Sequence, residues 1–250
     1  MNMKLLHNSR SNHSERWQQN YLLKIKLSRQ ISALLLCYGV LFGLMTNATA
    51  LTAGEQTIIL EPSADAWLRF NKPNAKYGKL NTVAVGATRG LFVTLFKWKF
   101  PEEIKGATIV KARFILTVRS VRGKATYQLH PVTTSWLEAM VSPNTTNGMD
   151  KWPDGSFYKS IDKNIVWGET SPPPVASVKK DSDAKQEVIF DFTNAVKYWM
   201  AGNPNNGAVL VRGKTKDTNA SLNAGSREAP KAHLRPRLVI TYKKVFTAVE

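Results

Sequence analysis

Residues 220–242 read ASLNAGSREAPKAHLRPRLVITY. In the last six, Leu238, Ile240 and Tyr242 alternate with Arg237, Val239 and Thr241, the period of two expected of a strand with one face on a core. Before it come a short strand, a loop carrying Ser226-Arg227-Glu228 and a proline-containing approach. Working outward, the chain from Gln56 keeps the same texture: short alternating segments, broken by Gly, Pro or Asn roughly every ten residues. That spacing predicts an antiparallel sandwich or barrel and excludes βαβ units.

Three successive segments set an apolar face against a basic one. In Leu91–Phe100, Phe92, Phe96, Trp98 and Phe100 oppose Lys97 and Lys99. In Ile109–Val118, Ala112, Phe114, Leu116 and Val118 oppose Lys111 and Arg113, with Arg119 following on the basic side. In Ala125–Val132, Tyr127 and Leu129 oppose Gln128 and His130. A solvated face ordinarily mixes charge signs, whereas here only the loop Glu102-Glu103 intervenes, so two readings stand: an anion-binding sheet face, or plain solvated surface. Thr193 is placed to cap one short helix, Asn194–Ala201, ending at Gly202 with Val196, Trp199 and Met200 buried. Residues 139–165, rich in Asn, Gly, Lys and Asp, form a long stretch without clear periodicity; loops of that kind are functional or mobile. Its Trp152, Phe157 and Tyr158 either pack it down or stack on sugar rings, packing being the favoured role.

Residues 1–50 read as a leader. Lys24, Lys26 and Arg29 flank an apolar run, Ile31–Met45, and Ala48-Thr49-Ala50 supplies the small residues of a cleavage site. The run is about fifteen residues, short of the roughly twenty needed to span a bilayer. The expectation is a secreted chain cleaved after Ala50, with no membrane span left and one domain over 51–250; an uncleaved anchor is the alternative. Cys37, the one cysteine, lies inside the leader without a lipobox, so residues 51–250 contain no disulfide, thiol nucleophile or thiolate ligand. The whole chain has 35 basic and 18 acidic residues; residues 1–50 hold six and one, leaving 29 against 17, a net charge of +12. Such an excess favours a polyanionic partner, the bland alternative being solubility.

Catalytic constellations are scarce. His130 and His233 are the only histidines after residue 50, with no zinc-like spacing and no Gly-x-Ser-x-Gly elbow. Gln128-Leu129-His130 resembles the Gln-x-His element of jelly-roll alginate lyases, but the Arg-rich strand and the C-terminal Tyr-x-Lys-x-Gly-x-Tyr pattern of that family are absent. Asp65 either ligates a structural Ca²⁺, common in jelly-roll modules, or caps a turn, and no Asp-x-Asp-x-Asp loop argues for calcium. Arg227-Glu228 reads as a structural ion pair rather than a ligand contact.

Five separated steps carry a family resemblance: ADAWLR…PNAKYGKLNTVAVG from Ala64, Thr133–Glu138 (TTSWLE), Val166-Trp167 with Pro172–Ser177, Asp191–Leu210, and the closing SREA…RPRLVITY. Together they resemble the DNRLRE family of secreted carbohydrate-binding modules, some of them attached to alginate-degrading enzymes. Residues 139–165 depart from the family pattern as an insertion. The resemblance implies a single antiparallel β-sandwich of jelly-roll type, with one short helix, that binds carbohydrate without catalysis. Combined with the charge, it leads to an expected partner, an acidic polysaccharide such as alginate or another uronate polymer. The contacts expected are Lys97, Lys99, Lys111, Arg113, Arg119, Gln128 and His130, with carboxylates met by charge-assisted hydrogen bonds. Nucleic acid would also satisfy the charge, but no nucleic-acid motif accompanies it and the leader directs the chain outward. The alternatives are a biofilm or envelope matrix component that binds another protein and, last, a polysaccharide lyase.

Overall fold

The run Leu91-Phe92-Val93-Thr94-Leu95-Phe96 carries no charge on either face, and a strand of that composition has to be covered on both sides. In the computed structural model it is. The structure describes residues 51–52, 54–87, 91–159, 175–178, 186–213 and 215–246, which belong to one compact unit, Leu51–Thr247. The expected leader with Cys37, residues 160–165 of the insertion, Val166-Trp167 and the Pro172–Pro174 link lie outside the described residues.

The strands are β1 (Leu51–Thr52), β2 (Gln56–Leu60), β3 (Ala64–Arg69), β4 (Thr82–Ala87), β5 (Leu91–Lys97), β6 (Thr108–Arg122), β7 (Ala125–Pro131), β8 (Val175–Val178), β9 (Gln186–Asp191), β10 (Ala208–Arg212), β11 (Ser221–Gly225), β12 (Arg237–Lys243) and β13 (Val245–Phe246). One α-helix, α1 (Thr193–Met200), follows β9. All pairings are antiparallel. The main path runs β2-β12-β6-β11-β4-β5-β10-β7-β8, with β3 added to β5 and β9 to β6, while β1 and β13 pair separately. Among the described residues this is an antiparallel β-sandwich with one short helix. Among the described residues no helix is long and apolar enough to cross a membrane.

The layers meet through aromatic rings. Phe96 of β5 lies 4.9 Å from Phe114 of β6, two strands that do not pair, and Trp98 lies 5.3 Å from the same ring. Trp199 of α1 closes this interior against Trp98 and Phe192. The helix begins at Thr193 rather than after it. The Thr193 hydroxyl accepts from the Ala112 N–H at 2.9 Å and donates to Asp191 Oδ1 at 2.6 Å, so it ties α1 to β6 instead of capping. Ala195, Val196 and Trp199 are the buried stripe, and Met200 is half-buried.

Strand β6 is not a simple alternation. Between Tyr242 and Thr241 of β12 its register skips Val110, and between Ala224 and Asn223 of β11 it skips Arg119. Each skip is a bulge that rephases the strand. The inward set is therefore Ile109, then Ala112 to Val118 at every second residue, then Val121. Arg119 sits at a bulge, not in the basic row of Lys111 and Arg113.

The second face of β5 has its own core. Val93 and Leu95, alternating with Phe92 and Phe96, pack with Ala66 and Leu68 of β3, Val209 and Val211 of β10, and Val132, Trp136, Val141, Trp152 and Phe157. The inserted segment is thus a roof over the outer face of β3-β5-β10. Its rings carry the packing role: Trp152 and Phe157 meet edge to face at 4.8 Å, and both are buried. The two indoles of the roof are satisfied: Trp152 Nε1 donates to the Ser142 carbonyl and Trp136 Nε1 to the Asn206 carbonyl, each at 2.8 Å. Tyr158 remains exposed beside Phe70, 5.3 Å between ring centres.

Because Trp152 fills a core rather than a binding surface, Trp152→Ala should cost about 3–5 kcal/mol, the range for emptying a large aromatic site. Urea unfolding followed by circular dichroism measures it. A loss below about 1 kcal/mol, the range of a surface substitution, would contradict the roof.

Candidate functional site

The basic residues read from the sequence do not share one face. Lys97 ends β5 on the roofed side, in register with Ala64, and Lys99 is exposed just beyond. Lys111 and Arg113 lie on the outer face of the opposite layer, because their inward neighbours Ala112 and Phe114 belong to the interior that also holds Phe96. Two cationic groups thus sit on opposite sides of the sandwich, and Arg119 stands apart at its bulge. The Lys111–Arg113 side is not purely cationic either. Arg113 is in register with Asp191 of β9, and Arg237, next to it on β12, is bonded to Glu187 at 2.6 Å. The Thr193 hydroxyl bond, helped by Lys111 and Lys197, holds the Asp191 carboxyl below its ordinary value.

Gln128 and His130 are the larger departure from expectation. Both point to the roofed side, in register with Val211 and Val209 of β10. Gln128 is half-buried, and His130 is only 1% exposed. An apolar environment disfavours the imidazolium, and desolvation pushes the His130 pKa down to about 4. The sequence presented Gln128 and His130 as the open face of a strand; the roof closes it.

A cluster the sequence left divided forms where β3 meets two loops. Asp65, buried on β3, accepts the Arg227 backbone N–H at 2.7 Å through Oδ2, and its own N–H donates to Glu138 Oε1 at 2.8 Å. The Arg227 guanidinium bridges Glu138 at 3.0 Å and Glu228 at 2.6 Å and also donates to the Ser63 carbonyl. Gly78 makes the close approach possible, because a Cβ there would collide with the Glu138 carbonyl. The ion pair expected of Arg227 and Glu228 is present, and it is one part of a four-residue tie joining three distant stretches of chain.

Asp65, Glu138 and Glu228 are also the described residues that could hold a hard cation. Their carboxylate oxygens lie within 4.8 Å of one another, and Glu228 Oε2 is buried without a protein partner. Oxygen donors of this kind suit Ca²⁺, although one guanidinium already occupies two of the three carboxylates. The excess negative charge acts on Asp65: burial first, then the carboxylates of Glu228 and Glu138, raise its pKa to about 7 against the lowering by the Arg227 N–H. Burial also raises Glu138.

The same face of β3 carries Trp67 and Arg69, which sequence reasoning passed over. The Arg69 guanidinium lies 5.2 Å from the Trp67 ring centre and 6.0 Å from that of Tyr77 on the β3–β4 loop. The signal was present in the spacing: residues 65, 67 and 69 of one strand share a face. The chain matches no family model and no curated protein.

Asp65 and His130 should tilt stability in opposite directions. A raised carboxyl contributes stability that is present below its ordinary value of 3.8 and lost as pH rises to about 7. A depressed imidazole contributes stability present above 6.5 and lost as pH falls to about 4. Asp65→Asn should therefore match wild type near pH 4 and gain on it up to pH 7, by roughly 2–4 kcal/mol at 1.36 kcal/mol per pKa unit. His130→Gln should close its gap to wild type as pH falls from 6.5 to 4. Melting temperatures from pH 4 to 8 read both, and a pH-independent Asp65→Asn difference would remove Asp65 as the titrating group.

Proposed function

We propose that the protein is a secreted, non-catalytic module that captures an acidic polysaccharide, alginate or another uronate polymer, by attraction distributed over several sides of the sandwich. The observation that carries this reading is where the acidic residues go. Glu55, Glu61, Glu102, Glu138, Glu187 and Glu228 are each engaged by a basic side chain. Among the described residues, Lys72, Lys79, Lys97, Lys99, Arg113 and Arg119 lie within 4 Å of no carboxylate. These six glutamates are neutralised within the protein, whereas those six cations are not.

Two further points support the reading. The residue pattern resembling DNRLRE modules points to carbohydrate. Burial of His130 under the roof removes from solvent the side chain on which a lyase reading would rest. One observation favours the second reading, a matrix protein that binds another protein: Leu137, just before the insertion, and Met149 within it are 58% and 84% exposed.

Calorimetric titration of the purified protein with alginate, polygalacturonate and a neutral glucan, at low and high salt, separates these. Binding to the uronates that weakens with salt, with none to the glucan, is expected. Lys97→Glu and Arg113→Glu should each weaken it by a few-fold, and their effects should add, because the two sites share no partner. No heat with either uronate polymer sinks the polysaccharide reading and leaves the protein-binding one.

A further inference from the structure

Arginines that are half-buried need acceptors, because a guanidinium N–H taken out of water without a partner loses the hydrogen bond that water gave it. Four of the half-buried arginines have them. Arg212 Nη1 donates to the carbonyls of Asp217 and Thr218, Arg227 to Glu138, Glu228 and Ser63, Arg235 to Ala229 and Glu61, and Arg237 to Glu187. Arg69, equally half-buried, is different. Among the described residues it has no carbonyl or carboxylate acceptor, and its partners are the rings of Trp67 and Tyr77. Its Nε is fully buried without an acceptor, and so is Nε1 of Trp67 beside it.

The rings fix the guanidinium in place. Trp67 and Tyr77 are 5.3 Å apart, and Phe92 supports Trp67 edge-on at 5.6 Å. Stacking on aromatic faces holds the planar fork and leaves its N–H groups free to donate in its plane. Only the Nε of Arg69 is enclosed, so its Nη groups bring a full positive charge with no protein acceptor, which is the chemistry of an oxyanion site.

The position suits a polymer. Among the described strands β3 pairs only with β5; its other edge is met at Asp65 by Glu138, and no described strand is added beside Trp67 and Arg69. The loop that supplies Tyr77 also exposes Lys72, Lys76 and Lys79, which raise the local concentration of a polyanion. The acidic cluster at Asp65 lies four residues away on the strand, about 13 Å at 3.3 Å per residue, too far to supply an acceptor.

We propose that Arg69, Trp67 and Tyr77 form an oxyanion subsite at the β3 edge of the sandwich. It takes the carboxylate of one sugar residue of the polysaccharide, which accepts from the Arg69 Nη groups while the Trp67 and Tyr77 rings hold the guanidinium. The inference rests on the polysaccharide reading above and adds a fixed point to otherwise distributed attraction. A sulfate ester offers the same oxyanion chemistry, and the test separates the two.

The purified protein is titrated by calorimetry with alginate, polygalacturonate and dextran sulfate at about 0.15 M salt, where exposed charges are largely screened, and tryptophan fluorescence is followed in parallel. Arg69→Lys keeps the charge but loses the stacked fork. It should weaken uronate binding about tenfold or more, the worth of one charge-assisted hydrogen bond, while Lys111→Gln changes it only a few-fold. Wild-type fluorescence should shift on binding, and the shift should vanish in Arg69→Lys. If Arg69→Lys lowers the melting temperature, Tyr77→Ala decides: it keeps the arginine, removes one of the two rings that hold it, and should still weaken binding several-fold. Wild type that binds uronates with unchanged affinity in both variants overturns the subsite and leaves distributed capture standing. Selective Arg69-dependent binding of dextran sulfate overturns the assignment to a uronate. Wild type that binds none of the three overturns the polysaccharide reading itself, and the subsite with it.

Discussion

Burial of β5 on both faces is the constraint on which the rest of the molecule depends. Residues 51–250 contain no cysteine, so no disulfide limits the unfolded chain and stability has to come from removing apolar surface from water. One face of β5 finds its cover in the facing layer, through Phe96 on Phe114. The other would be an open sheet of Val and Leu if nothing lay over it. The segment from Trp136 to Phe157 supplies that cover almost without regular structure of its own, holding its shape by side-chain bonds to backbone such as Trp152 to Ser142. A long aperiodic stretch is usually a mobile or functional loop; this one is a third layer.

The roof decides which side chains can meet a partner. It takes His130 and half of Gln128 out of solvent and leaves Lys97 at its margin. Among the described residues no roof covers the opposite layer, and Lys111 and Arg113 are exposed there, tempered by Asp191 and Glu187. The positive charge is consequently spread around the sandwich rather than gathered into a plane. A spread charge of this kind raises encounter rates with a polyanion but fixes no register, because each exposed contact is worth little and is screened by salt. Orientation has to come from a group that is desolvated and held, and β3 offers one in Arg69.

Much of the fold was legible in residues 56–242. The alternation of Leu238, Ile240 and Tyr242 is the observed inward face of β12, and Trp199 lies in the core as the helical spacing required. The basic face was not legible, for two physical reasons. Lys97 and Lys99 colour the end of their segment, and reading them back along the strand hid Val93 and Leu95, which share their face and needed a cover. In β6 the bulges at Val110 and Arg119 rephase the strand, and nothing in side-chain composition marks a bulge without glycine. The cluster of Asp65, Glu138, Arg227 and Glu228 was invisible for a third reason. Its members were read singly, Asp65 as a calcium ligand or a turn cap and Arg227-Glu228 as an ion pair, because contacts across as many as 162 residues of sequence leave no local pattern.

One strand carries both a carboxylate-rich cluster and a cation aimed at an anion, which at first sight is self-defeating. The charges on β3 resolve it. Arg227 engages Glu138 and Glu228, and burial drives Asp65 toward its neutral form up to about pH 7, so the cluster presents much less negative charge than its composition suggests. What remains lies about 13 Å from Arg69 along the strand, beyond the roughly 8 Å over which exposed charges interact at physiological salt. The two ends of β3 are therefore only weakly coupled. Three residues at i, i+2 and i+4 place a structural tie at one end and an oxyanion-seeking arginine at the other, with Trp67 between them, and neither needs the other's charge to do its work.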